Sequence, residues 1–148
     1  PQYTVLTNEP TLDDQLKNLK RYKFFGGNHA LPGDIDPMSR FVRAVSFLKT
    51  VPEPRNEREA LVFLRGVMFR ITSPFGSQDT SGSGSSNVGP TRWLILYDLT
   101  GRTIYFMGIA NLNLFQVSMK NVDFEEGAPV LQIDPMAPGL CGEMFRLL

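Results

Sequence analysis

Two side chains in this sequence are suited to hold a developing negative charge without being acids or nucleophiles. Asn8, in TNEPT, carries a neutral amide that can donate hydrogen bonds, as an oxyanion-binding position requires. Read alone, it fits better an Asx-type turn ahead of Pro10. Arg40, in PMSRFVRA, falls in the first turns of a helix. A cation there opposes the helix dipole by roughly a few tenths of a kcal/mol. Its position therefore asks for a partner, such as a carboxylate, a thiolate or a ligand. The alternative is an ordinary arginine on an amphipathic edge.

The other chemically capable residues are isolated. His29 is the only histidine, and with one distant cysteine it cannot assemble a zinc site. No Gly-x-Ser-x-Gly elbow accompanies it, so a structural or solvent-exposed role is expected. Cys141, in GLCGE, has no neighbouring base to generate a thiolate and reads as buried and inert. The pairs Asp13-Asp14 and Glu125-Glu126 are adjacent rather than opposed, and read as solvated surface charge. Pro1 ahead of a strand superficially fits a tautomerase with an N-terminal proline base, although any chain cut before a proline looks the same. The length and the helices that follow do not match that family's short β-α-β units. No cofactor is implied.

Several elements must position these residues. Tyr3 to Thr7 is β-branched and aromatic and predicts a short strand. Thr11 with Asp14 forms a capping-box-like start, and Leu12, Leu16 and Leu19 predict a helix from about Thr11 to Lys23. Gly26 and Gly27 end it. After the LPGD turn, Asp36 and Pro37 open a second helix reaching about Lys49, with Phe41, Val45 and Leu48 as its apolar stripe. Asn56 caps a third helix bearing Leu64, Val67 and Ile71 along one face. Gly76 to Gly89 is Ser/Gly-rich and reads as a surface loop. From Thr91 the period becomes that of strands: a hairpin turning at Thr100-Gly101, then Phe115 to Met119 and Pro129 to Ile133. Helices followed by strands argue for a layered α+β arrangement, read as a single domain over residues 1–148.

Composition narrows the partners. Of 148 residues, 42% are hydrophobic, enough for a real core. Basic and acidic residues each total 15, so bulk charge points to neither nucleic acid nor an anionic membrane. No apolar run approaches the ~20 residues that span a bilayer, and no signal peptide is visible. One cysteine excludes an internal disulfide. The chain starts at Pro1 without a methionine, as a processed chain or a piece of a longer one would.

Taken together, three blocks resemble the choloylglycine hydrolase family, which holds bile salt hydrolases and penicillin V acylases. VLTNEPTLDDQLKNL, Val5 to Leu19, is similar to the family's T-N-x-P segment and the Q-L-x-N-L that follows it. LPGDIDPMSRFVRA, Leu31 to Ala44, resembles its L-P-G-D…S-R-F-x-R-A segment. TRWLILYDLTGRTIYF, Thr91 to Phe106, resembles its late strand pair. The resemblance implies part of an αββα four-layer N-terminal-nucleophile hydrolase sandwich, here the C-terminal half. It implies cleavage of linear amide C–N bonds in bile salt conjugates, penicillin V or similar N-acyl compounds. The nucleophile is then an N-terminal cysteine whose own amine is the base, so no catalytic histidine is needed.

By the same resemblance, Asn8 matches the oxyanion-hole asparagine and Arg40 the arginine beside the cysteine sulfur. Asp34, Ser39 and Arg43 match positions read as structural. The cysteine itself is absent from this chain, so the chain alone is expected to be inactive, and its partners are the missing N-terminal half and a small N-acyl amide. The alternative is a non-catalytic fragment, or a binding or assembly protein derived from the same fold. The short connection from Arg21 to Ala30 is more like the family's Gram-negative branch. A bacterial periplasm or cytoplasm is the expected setting. A half-sandwich leaves strand edges unpaired and an apolar face uncovered. The isolated chain is therefore expected to be poorly soluble or a homo-oligomer; sedimentation as a monodisperse monomer at high concentration would count against a missing half.

Overall fold

The structure is a computed structural model that describes residues 4–74, 77, 89–108, 113–134, 137, 139 and 141–144. It divides into two compact units, Pro1–Pro90 and Thr91–Leu148, the first built on helices and the second on a sheet. The class is α+β, as the order of patterns predicts. Pro1 and most of the Ser/Gly-rich segment, 76–89, lie outside the described residues.

In the first unit, helix α1 spans Leu12–Leu19. The Thr11 hydroxyl oxygen accepts from Asp14 N at 3.4 Å and its O–H donates to Asp14 Oδ2 at 2.9 Å, so aspartate does serve in the capping box. The helix stops short of the predicted Lys23. The carbonyl of Arg21 is taken by two loop amides, Asn28 N at 3.0 Å and His29 N at 2.9 Å, while Lys23 N donates to His29 O at 2.8 Å. A short 3-10 turn, Lys23–Phe25, closes on Gly26 at φ 94°. Gly27 is required here, since a Cβ would lie 2.1 Å from the carbonyl carbon of Arg21.

Helix α2, Pro37–Thr50, starts as expected: Asp36 accepts from Ser39 N at 3.0 Å and proline fills the first turn. Its Phe41, Val42 and Val45 form the core with Leu19 of α1, and Val5, Leu16, Tyr22 and Phe25 pack around them. Helix α3, Glu57–Phe69, is capped by Asn56, which accepts from Glu59 N at 3.0 Å. Val67 is the buried residue of that helix; Leu64 is exposed and Ile71 lies beyond its end, so the predicted apolar face is only partly used. Arg43 is buried in this unit, and it donates from Nε to Arg70 O at 2.8 Å and from Nη1 to Pro32 O at 3.2 Å and Asp34 O. One guanidinium thus ties the LPGD turn and the end of α3 to α2.

The second unit is a four-stranded sheet in the order β1-β2-β3-β4, with β1 Trp93–Asp98, β2 Thr103–Gly108, β3 Phe115–Ser118 and β4 Gly142–Met144. The hairpin is antiparallel, Leu96 opposite Tyr105, and Asp98 Oδ1 accepts from Gly101 N at 2.8 Å to hold the turn. Strand β3 pairs antiparallel with β2 and parallel with β4. Both sheet faces are apolar: Leu94, Leu96 and Met107 alternate with Ile95, Phe106 and Phe115.

Three expectations are corrected. Residues 4–7 form no strand, because their backbone groups meet no ladder partner among the described residues. Residues 129–133 form no strand either: Pro129 brings no N–H, and Ala128 to Leu131 instead line a cavity of about 440 Å³ with Ile104, Val117 and Val122. Strand β4 was not expected, and Cys141 just ahead of it is exposed rather than buried, beside Gly142 at φ 72°. Replacing the fully buried core residue, as Phe41→Ala, should destabilise the helical unit by about 3–5 kcal/mol in urea unfolding.

Candidate functional site

Asn8 and Arg40, 32 residues apart in sequence, meet: Arg40 Nη2 donates to Asn8 Oδ1 at 2.8 Å. A guanidinium has only donors, so the amide must present its oxygen to Arg40 and turn its NH₂ the other way. That NH₂ makes no hydrogen bond to the protein among the described residues, and the asparagine is exposed. The result is a neutral donor pair held in one orientation and polarised by a cation at its carbonyl end.

Arg40 is half-buried on α2 and its Nε is buried without a hydrogen-bond partner among the described residues. Burial lowers its pKa, against the pull of the Asp36 carboxylate, which raises it. It stays charged at any physiological pH. The partner that its place near the helix start demands is therefore a side-chain amide, with Asp36 adding longer-range attraction. Among the described residues no carboxylate takes that direct bond.

The segment carrying Asn8 is itself tied down. Gln15, buried on α1, donates from Nε2 to Thr7 Oγ1 at 2.8 Å and to Glu9 O at 2.6 Å. Sequence reading treated Gln15 only as part of QLKNL. The available signal was its place on the inward arc of α1, three after Leu12 and four before Leu19, where an apolar residue is ordinary. Asp34 and Arg43 also meet, through the Asp34 carbonyl, and Ser39 gives its amide to the Asp36 cap; these residues shape the scaffold around the pair.

The remaining candidates stay apart. His29 is exposed, its ring edge-on to Tyr22 with centroids 5.8 Å apart. Asp14 pairs with Lys17 at 3.0 Å on the surface. Among the described residues no group of three or more His, Cys, Asp or Glu is placed to hold a metal, and no helix is long and apolar enough to cross a membrane.

Residues 1–132 match the model of the linear amide C–N hydrolases of the choloylglycine hydrolase family, and the chain belongs to that family. Its likeness reaches particular proteins. It is 28% identical over 134 residues to penicillin V acylase of Pectobacterium atrosepticum, covering 82% of this chain and 35% of that protein. It superposes on the structure of penicillin V acylase from Agrobacterium tumefaciens with a TM-score of 0.72 at 30% identity, over 84% of this chain and 38% of that one. A variant of the conjugated bile acid hydrolase from Clostridium perfringens shares the fold, with a TM-score of 0.62 at 18% identity over 91% of this chain and 46% of that one. The chain thus spans less than half the length of these relatives.

The contact is testable without any activity. In Asn8→Asp the new carboxylate would face Arg40, so its folded pKa should lie below that of an ordinary aspartate. The stability it contributes is then present above the unfolded pKa and lost as pH falls through the folded one. A carboxyl-carbon NMR titration at the ordinary aspartate pKa would show that the two side chains do not meet in solution.

Proposed function

We propose that this chain supplies the oxyanion-stabilising part of a linear amide C–N hydrolase whose cysteine nucleophile resides in a complementary N-terminal half. The observation that carries this reading is the 2.8 Å bond from Arg40 to Asn8, which leaves an oriented, uncharged NH₂ facing outward. When a thiolate adds to an amide carbon, the carbonyl oxygen becomes an oxyanion in the tetrahedral intermediate. Asn8 Nδ2 is the donor for that oxygen, and because it is already oriented it needs no rearrangement as charge develops. Arg40 polarises the donor and supplies a fixed positive charge that favours a nearby thiolate over a thiol.

Collapse of the intermediate breaks the C–N bond, the departing nitrogen takes the proton that the terminal cysteine's amine removed from the thiol, and an acyl-thioester remains. Water then adds to the thioester through a second oxyanion on the same donor, releasing the acid and restoring the thiol. Similarity to penicillin V acylases points to penicillin V or a related N-acyl amide as substrate, with bile salt conjugates as the neighbouring class. Apolar side chains on both faces of the β1–β3 sheet support the reading of it as an inner layer of an αββα sandwich completed by the other half.

The experiment is complementation. Alone, the chain should cleave neither penicillin V nor a bile salt conjugate; co-expressed with an N-terminal half bearing a terminal cysteine, it should cleave one of them. Asn8→Ala in that complex should lower kcat by about 10²–10³-fold. Cleavage by the isolated chain, or full activity of the Asn8 variant, would overturn the proposal.

A further inference from the structure

We infer that Gln15 is a positioning residue for Asn8, holding the Thr7 hydroxyl on one side of it and the Glu9 carbonyl on the other so that the oriented amide stays at one place; this rests on the oxyanion role proposed for Asn8. Gln15 is 2% exposed, among the largest fully buried side chains in the chain. Its two donor bonds go to Thr7 Oγ1 and Glu9 O, the residues immediately before and after Asn8. Arg40 fixes the side chain of Asn8 from a different helix. The asparagine is thus restrained at three points, two through Gln15 and one through Arg40, although it lies in a segment without regular structure.

A purely structural role explains Gln15 poorly. Its Oε1 is buried without a hydrogen-bond partner among the described residues. Leaving such an acceptor unsatisfied costs roughly 1–3 kcal/mol. The position lies on the same side of α1 as buried Leu19, where an aliphatic side chain of similar volume would avoid that penalty. An amide here leaves one acceptor unpaired, while its two donor bonds locate the segment that bears Asn8. That combination fits selection for geometry rather than for packing.

Gln15→Met separates the two roles, since it preserves volume and removes both donors. In the complemented enzyme, kcat should fall about 10- to 100-fold with KM changed less than twofold, while urea stability stays level or rises. In an Asn8→Ala background the same substitution should cause no further loss, because its effect passes through Asn8. An unchanged kcat, or losses that simply add in the double variant, would overturn the inference. If the complemented wild type proves inactive, the proposed hydrolase function fails, and Gln15 is then judged on the 148-residue chain. There, ¹⁵N relaxation of the Asn8 side-chain amide should show order in the wild type and motional averaging in Gln15→Met. Equal order in both would overturn it.

Discussion

A guanidinium offers five N–H donors and no acceptor, so a side-chain amide that meets it can bind only through oxygen. The contact between Arg40 and Asn8 therefore dictates which way the asparagine's NH₂ points. Without that contact the amide would be free to flip, and a donor that rotates away half the time stabilises a developing charge poorly. The exposure of Asn8 makes the restraint more important, because no surrounding core holds the side chain. What the rest of the helical unit does is bring the two residues together and keep them there.

Each supporting feature acts on one side of the pair. The Asp36 cap sets where α2 begins, and so where in its first turns Arg40 projects. Arg43, three residues on, fastens that helix to the LPGD turn before it and to the end of α3 beyond it. A buried guanidinium with uncharged carbonyl partners is tolerable because its donors are satisfied by backbone oxygens, although burial lowers its pKa. On the other side, α1 contacts α2 through Leu19, Phe41, Val42 and Val45, and from α1 Gln15 reaches up to the loop that carries Asn8. The hydrophobic core sets the distance between helices; the polar clamps set the angle at which Asn8 and Arg40 meet.

The sheet unit is organised differently. An antiparallel hairpin that packs on one face only would alternate apolar with polar residues, yet β1 and β2 carry apolar side chains on both faces. Trp93 and Tyr97 remain more than half exposed, and Phe124 and Val130 more so. An exposed apolar surface of this kind marks a place where another element or a partner packs. It accords with a chain that covers less than half the length of the relatives it resembles.

Local chemistry was legible in the sequence wherever the cause is local. The caps at Thr11, Asp36 and Asn56, the helix starts that they impose, and the hairpin around Thr100-Gly101 all follow from side chains acting on backbone groups within a few residues. Motif spacing also singled out Asn8 and Arg40, through resemblance rather than through physics, since either residue alone has a bland explanation. Features that depend on distant partners were not legible. Residues 4–7 and 129–133 have strand composition but no ladder, because composition does not supply a neighbour to receive the hydrogen bonds. Strand β4 exists only because β3 offers it an edge. Above all, the direction of the Asn8 amide and the double grip of Gln15 on its flanks arise from groups brought together by packing of α1 on α2. Sequence supplied the two polar groups; tertiary contact decided which of their atoms face outward.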